Sequence, residues 1–434
     1  MTADGRRRLG TATLACLVVA NMVGAGLFTT SGFALADLGS PGRVLAAWVV
    51  GGAIAVLGAL CYGALAAHLQ ESGGEYLFLS RTVHPAAGFL AGWVSLLAGF
   101  GGAIAFAAEA MQSYLAPWFP AWLPPDLVGS AVIVAAGVLH AGGLKPGVVA
   151  QNAAVIVKLA LLLALAVWGL GAIAGREALP QSAPPAFRLG AFAATLMWIS
   201  LSYSGWNAAV YVAGEVRDPR RSVPRSMLLG TLLVTGLYLA LNAVFLYAAP
   251  AEQLAGRPDV AAAAAEALGG PALRDTLRIL MALAMLTSVA SMTMVGPRVY
   301  AKMADDGLLP RALAFAGEVP RAAIALQVVV ALLFLWMSGL REQLANLGWL
   351  LGLCTAAAVI GLLRLRRRLG AQAVPVPGYP WVPLAFVAAT LFLAVMLVVE
   401  QGADLGPAAA VLVSGAVAWR FARGQYRRAV DPGP

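Results

Sequence analysis

A single lysine inside an apolar segment is the residue whose chemistry stands out most in this chain. Lys158 lies in the middle of residues 155–161, which read Val-Ile-Val-Lys-Leu-Ala-Leu. If this segment spans a membrane, a charge there costs at least about 2.5 kcal/mol on insertion scales. It also lies ~15 Å from the helix start, a long distance for a lysine side chain to span if the ammonium is to reach the membrane interface. We therefore expect carbonyl or hydroxyl partners for the ammonium, which could carry a proton. The alternative is a lysine that extends to the membrane interface.

Two glycine-containing polar segments interrupt otherwise apolar runs. Residues 21–26 read Asn-Met-Val-Gly-Ala-Gly, and residues 202–207 read Ser-Tyr-Ser-Gly-Trp-Asn. Broken helices at matching positions of two halves are typical of transporters built from inverted repeats. Either motif alone is equally compatible with close helix packing, because glycine is common in membrane helices. The first motif is not a dinucleotide fingerprint, since no strand precedes it and the third glycine is absent.

The composition indicates which kind of protein contains these two segments. The chain has 434 residues, of which 61% are hydrophobic and 11% are charged, whereas soluble domains carry about 25% charged residues. This excludes a soluble enzyme and a disordered protein, and it makes lipid the main solvent. Since backbone groups in lipid must be paired internally, we predict an all-α integral membrane protein. Twelve apolar runs predict twelve transmembrane helices: 10–37, 43–67, 86–115, 126–142, 147–173, 189–214, 225–249, 272–301, 321–339, 343–363, 381–400 and 404–421.

The distribution of basic residues predicts the orientation. With the N-terminus in the cytoplasm, the cytoplasmic loops and tails hold most of the 29 lysines and arginines, as the positive-inside rule requires. We expect a multi-pass protein of the plasma (inner) membrane with both termini cytoplasmic and an uncleaved first span. This bias accounts for the net charge of +9 without a nucleic-acid partner. The three cysteines are isolated, so we expect no disulfide, metal site or cofactor.

Few other ionisable residues are candidates for chemistry. Glu109 lies about one turn from the outer end of the third span, so we expect it at the interface, whereas Glu71 and Glu75 belong to the first cytoplasmic connection. Three histidines are expected at interfacial positions near span ends: His68, His84 and His140. No catalytic constellation lies within the spans, which disfavours an enzyme such as a membrane-embedded transferase.

The motifs together resemble a known family. The chain is similar, from about residue 10 to 400, to the amino acid–polyamine–organocation permeases, and within them to the L-type amino-acid transporter branch. Each motif is weak alone, but their order and spacing are specific. They are residues 21–28, residues 73–76, residues 203–207 with 214–219, and Arg298 with residues 303–310.

The resemblance implies a fold and a function. The fold would be two inverted repeats of five helices, 1–173 and 174–368, with helices 1 and 6 broken, followed by two additional helices and a cytoplasmic tail in 369–434. The function would be secondary active amino-acid transport by alternating access, as proton-coupled symport or as exchange. Neutral amino acids are the expected substrates, because no carboxylate is identified as facing the pocket. The alternative is a cationic amino acid or polyamine carrier with Glu109 as a ligand. Implied partners are the substrate, protons and the lipid bilayer, with the protein a monomer or homo-oligomer.

The resemblance also implies a substrate site. The substrate carboxylate would meet backbone N–H groups of Gly24, Ala25 and Gly26, a helix N-terminus that favours anions. The substrate amine would meet carbonyls mapped to three residues: Met22, Leu201 and Ser204. The rest of the broken sixth span completes the site: Gly205, Trp206 and Asn207. Two positions depart from the family, since relatives often have serine at the Ala25 position and an aromatic residue at the Leu201 position.

A coupling site follows from the same resemblance. In proton-coupled relatives a lysine of the fifth span takes the place of a sodium ion, which maps to Lys158. Its partners would be the carbonyls of Ala20 or Val23 and the hydroxyl of Ser288. Because some relatives with this lysine are exchangers, the sequence leaves symport and exchange open.

Overall fold

The computed structural model describes residues 9–175, 185–337, 340–401 and 406–430. In these ranges the ordered elements are helices, and the only extended pairing is an isolated bridge between Leu9 and Val216. The helices are α1 (Thr11–Met22), α2 (Gly26–Leu38), α3 (Pro41–His68), α4 (Gly74–Thr82), α5 (Pro85–Val94), α6 (Ala103–Leu115), α7 (Pro125–Gly142), α8 (Leu144–Ala174), α9 (Leu189–Ser202), α10 (Pro219–Tyr247), α11 (Ala251–Leu254), α12 (Val260–Val295), α13 (Pro297–Asp305), α14 (Arg321–Met337), α15 (Leu340–Leu369), α16 (Trp381–Gln401) and α17 (Gly406–Val430).

Seven of the helical stretches in the described ranges are long and apolar enough to cross a membrane. The number becomes eight if α1 and α2, which bend by 40° at their junction, form one span. Three shorter apolar helices add to these: Asp126–Gly142, Leu189–Ser202 and Arg321–Met337. Helices occupy all of the predicted apolar runs where the chain is described, so the protein is a helical membrane protein. The count of twelve crossings stays a prediction.

Two helical stretches depart from regular α-geometry. A π-helical segment, Ser95–Gly102, joins α5 to α6, and insertions of this kind often mark functional positions in helices. In α12 the backbone is non-helical at Gly269 and Gly270, just before Pro271. The predicted span at 272–301 therefore begins directly after a kink.

The first span lies at the centre of the bundle. Helix α1 packs against α8, α10 and α12, while α2 packs against α9. Helix α8 faces this centre with one stripe of buried residues, among them Gln151, Val155, Lys158 and Leu162. Their spacing of three or four residues is that of one helix face. The opposite face of α8 is apolar and exposed, as at Val167, and faces the surroundings as lipid-contacting helices do.

A buried ion pair holds one end of this bundle together. The guanidinium of Arg298, in α13, donates to the Glu215 carboxylate through Nε at 2.7 Å and Nη2 at 3.1 Å. Both side chains are almost completely buried. The Leu9 N–H donates to the Glu215 carbonyl, and the Arg217 N–H donates to the Leu9 carbonyl. The N-terminal segment, the end of the sixth span and α13 are thus tied at one point.

Breaking this pair is expected to destabilise the protein. Arg298→Met leaves the Glu215 charge buried without its cation, which costs about 3–5 kcal/mol in buried pairs. The measurement is thermal unfolding of the detergent-purified protein, and the midpoint should fall. In the double variant Arg298→Met/Glu215→Leu the midpoint should return most of the way to the wild-type value, because neither charge then remains. An unchanged midpoint in the single variant would contradict this account.

Candidate functional site

The first broken span leaves backbone N–H groups without backbone acceptors. Helix α1 ends at Met22 and α2 begins at Gly26. The first N–H groups of any helix lack intrahelical acceptors. Among the described residues, no backbone oxygen accepts from the N–H of Gly24, Ala25 or Gly26. The N-terminus of α2 therefore offers donors and partial positive charge in the interior of the protein.

The second break lies directly against the first. Helix α9 ends at Ser202, and a 3-10 helix resumes at Ala208–Glu215. Between them Gly205 has a φ of +103°, and a Cβ there would lie 2.7 Å from the backbone C and O of Asn21. A Cβ at Gly26 would likewise overlap Ser202. The two breaks make contact because glycine occupies both close approaches.

One tyrosine connects the ends of the two broken helices. The Tyr238 hydroxyl, from α10, lies 2.5 Å from the Met22 carbonyl and 3.1 Å from the Ser202 carbonyl. The Leu201 carbonyl accepts from the Ser204 N–H at 2.9 Å. Two of the three carbonyls assigned to the substrate amine thus already accept one hydrogen bond, and each has a second lone pair left.

A cavity of about 180 Å³ lies at the contact between the breaks. All nine residues predicted for substrate binding line it: Met22, Gly24, Ala25, Gly26, Leu201, Ser204, Gly205, Trp206 and Asn207. The facing wall carries Phe100 and Phe106, from the π-helical segment and α6, and Met292 of α12. The cavity therefore joins a polar backbone surface to a mainly apolar wall, an arrangement suited to a small polar group with an apolar side chain.

The four residues predicted for coupling lie beside the cavity. The Lys158 side chain is fully buried, and its Nζ donates to the Val23 carbonyl at 3.3 Å. The Ser288 hydroxyl lies 3.0 Å from the Ala20 carbonyl and 3.1 Å from the Val23 carbonyl. The ammonium thus lies inside the bundle and not at an interface. Helices α8 and α12 both contact the first break through the Val23 carbonyl.

A carboxylate that was expected in a cytoplasmic connection lies in the cavity wall. Glu75 is 4% exposed and lines the cavity, so the expectation that no carboxylate faces the pocket is wrong. Gly73 and Gly74 have φ values of +131° and +54°, which let the chain turn back into the bundle. A Cβ at Gly74 would overlap the Tyr211 ring. The adjacent glycines before Glu75 were the sequence signal for this placement.

The remaining ionisable candidates divide between surface and interior. His68 and His84 are exposed, as expected at span ends. His140 is 3% exposed and packs against Gly147, which has no side chain to displace it, so it is enclosed by protein; it lies in the last turn of α7, and its interfacial position stays a prediction. Glu109 is half-buried in α6.

Comparison with known proteins identifies the family to which this geometry belongs. The pattern of the family described as amino acid permease matches residues 9–419. The chain belongs to the amino acid permease family. This permease therefore falls, as its motifs indicated, within the amino acid–polyamine–organocation superfamily, whose members are transporters and not enzymes.

Three relatives illustrate the match. The permease is 26% identical over 424 residues to "Large neutral amino acids transporter small subunit 2" of Homo sapiens, covering 94% of this chain and 79% of the relative. It is 26% identical over 424 residues to "Asc-type amino acid transporter 1" of Homo sapiens, covering 94% and 81%. It is 24% identical over 400 residues to "Serine/threonine exchanger SteT" of Bacillus subtilis (strain 168), covering 89% and 90%.

Proposed function

We propose that this permease is a secondary active transporter of neutral amino acids that works by alternating access. The observation that carries the proposal is the cavity between two broken helices, with backbone N–H groups that lack backbone acceptors on one wall and aromatic side chains on another. The names of the three relatives, which refer to neutral amino acids in two cases, support the same substrate class. The transporter lies in the plasma (inner) membrane with both termini in the cytoplasm, as the basic residues indicate.

The protein binds the substrate mainly through its α-carboxylate and α-ammonium groups. Its carboxylate lies at the N-terminus of α2, against the N–H groups of Gly24, Ala25 and Gly26. Its ammonium lies at the carbonyls of Met22, Leu201 and Ser204. The Met22 carbonyl also accepts from the Tyr238 hydroxyl. Its side chain extends toward the wall formed by Phe100, Phe106 and Met292, while Gly205, Trp206 and Asn207 close the site.

The proposed architecture is that of an inverted repeat. Residues 1–173 form the first five-helix repeat and 174–368 the second, so the two broken spans are the first helices of the two repeats. Residues 369–434 add two helices and a cytoplasmic tail, giving twelve spans. Rocking of one repeat against the other exposes a central site to each side in turn.

Coupling is proposed at Lys158. Its Nζ, the Ser288 hydroxyl and the carbonyls of Ala20 and Val23 form one group beside the first break. Loss of the proton from Nζ would remove the cation that holds Val23 and free the first span to move. Release of this proton during the transport cycle would give proton-coupled symport, whereas an ammonium that stays charged would give exchange.

The main test of the function is competition by substrates with a blocked end. Reconstituted into liposomes, the permease should take up radiolabelled neutral amino acids. N-acetylated and amidated forms should compete roughly 5- to 150-fold less well, because each leaves buried backbone groups without a partner at a cost of about 1–3 kcal/mol. Uptake is measured with and without a pH gradient and with internal amino acid. Equal competition by the blocked forms would overturn the assigned pose.

A second candidate function is transport of cationic amino acids or polyamines. The observation that favours it is Glu75, a buried carboxylate in the cavity wall, and Glu109 is a further carboxylate near the third span's outer end. Against it, Glu75 already accepts hydrogen bonds from three protein groups. Strong competition by lysine or putrescine in the same assay, with none by leucine or alanine, would favour this candidate.

A further inference from the structure

Four residues form a hydrogen-bonded group on one wall of the cavity, here named the Glu75 cluster: Tyr62, Glu75, Asn207 and Tyr211. Glu75 Oε1 accepts from the Tyr62 hydroxyl at 3.1 Å and from Asn207 Nδ2 at 2.7 Å. Glu75 Oε2 accepts from the Tyr211 hydroxyl at 2.6 Å. Asn207 Nδ2 also donates to the Tyr211 oxygen at 3.1 Å. Glu75, Asn207 and Tyr211 line the cavity directly.

Each polar side-chain hydrogen of this cluster has one acceptor. The two tyrosine hydroxyl hydrogens point to the two Glu75 oxygens, and the two amide hydrogens of Asn207 point to Glu75 Oε1 and the Tyr211 oxygen. No lysine or arginine within the described ranges pairs with Glu75. The carboxylate is an acceptor only, so it fixes which end of the Asn207 amide faces it.

This arrangement decides what Asn207 presents to the cavity. Because Nδ2 is turned toward Glu75 and Tyr211, the atom left for a ligand is Oδ1, and no described residue donates a hydrogen bond to it. Close to it the wall carries Phe100, which packs edge-on against Tyr211 at a centroid distance of 5.1 Å. An acceptor that no described residue pairs with favours a ligand that places a donor opposite it.

We propose that Asn207 Oδ1 accepts a hydrogen bond from the side-chain hydroxyl of the substrate, and that Glu75 is the positioning residue that holds the amide in this orientation. The inference rests on the proposed function and narrows its substrate class to small hydroxylated amino acids. Threonine is then preferred over valine, which has a nearly identical shape but a methyl group in place of the hydroxyl. Serine is preferred over alanine for the same reason.

The physical basis of the test is the difference between a carboxylate and an amide. In Glu75→Gln the new side chain can donate as well as accept, so the Asn207 amide can rotate and turn Nδ2 toward the cavity. The shape of the cavity is retained, but the preference for a hydroxyl should be lost. A net hydrogen bond between neutral groups corresponds to roughly 3- to 10-fold in affinity, which sets the expected size of the preference.

The experiment uses the full-length permease in proteoliposomes, with radiolabelled alanine as the probe and unlabelled threonine and valine as competitors. In the wild type, threonine should compete roughly 3- to 10-fold better than valine. In Glu75→Gln and in Asn207→Leu the ratio should fall to about one. Glu266→Gln, the same change at an exposed carboxylate paired with Arg274, should leave the ratio and the alanine uptake unchanged.

Two results would overturn the inference. The first is equal competition by threonine and valine in the wild type, a measurement that needs no variant and is independent of folding. The second is a threonine preference that persists in a monodisperse Glu75→Gln protein. A wild type that takes up no neutral amino acid would instead overturn the proposed function. Uptake of lysine that is lost in Glu75→Gln would overturn the inference by making Glu75 a direct ligand of a cationic group.

Discussion

Replacing Lys158 with alanine is expected to reduce amino-acid uptake roughly ten-fold or more. The fully buried Nζ donates to the Val23 carbonyl in the break of the first span. Alanine removes this charged donor and leaves a void beside the carbonyl, which then has only a share of the Ser288 hydroxyl among the described residues; a hydrogen bond to a charged group contributes about 1.5–3 kcal/mol. The conformation that holds the first span against α8 and α12 should therefore become less populated. The measurement is uptake driven by an imposed pH gradient, compared with exchange against internal amino acid.

Two further variants make this result specific. Lys158→Gln retains a donor but no charge, so it should preserve part of the exchange and lose accumulation driven by the pH gradient. Lys145→Ala changes an exposed lysine at the start of the same helix, α8, and should behave as the wild type. Membrane insertion is verified for each protein. Accumulation at the wild-type level in both Lys158 variants would exclude this lysine as the coupling residue.

Gly205→Ala is expected to weaken substrate binding strongly. The φ of +103° at Gly205 lies in a region that residues with a side chain rarely adopt, and the added Cβ would lie 2.7 Å from the backbone of Asn21. The backbone conformation alone costs about 1–2 kcal/mol in a residue other than glycine. Because the overlap is with backbone atoms, the two breaks must separate and enlarge the cavity. We expect at least a ten-fold loss of affinity for every neutral amino acid.

The matched control is another glycine of a membrane-spanning helix. A Cβ at Gly236, in α10, meets no atom within 4 Å, and alanine favours a helix more than glycine does. Gly236→Ala should therefore retain wild-type affinity and stability. Affinity is measured by binding of radiolabelled substrate to the purified proteins. Wild-type affinity in Gly205→Ala would show that the close approach of the two breaks does not shape the site.

The helices of this permease could be predicted because lipid imposes a strong and local constraint on sequence. Apolar runs, breaks rich in glycine and proline, and a biased distribution of basic residues follow from the solvent alone. The described helices occupy the predicted runs, including the broken first span. The nine predicted substrate residues lie around one cavity, since the glycine-containing motifs mark the places where helices open.

The amino-acid sequence by itself thus determined a helical membrane protein, its family and the two breaks at the centre. Only the tertiary structure decided which polar side chains reach the cavity. Glu75 follows a span end in sequence, but two glycines with positive φ turn it inward to Tyr62. It also meets Asn207 and Tyr211, which lie 132 and 136 residues away along the chain. The physical reason is that hydropathy reports the solvent of a segment, whereas the partners of a buried carboxylate depend on which helices pack together.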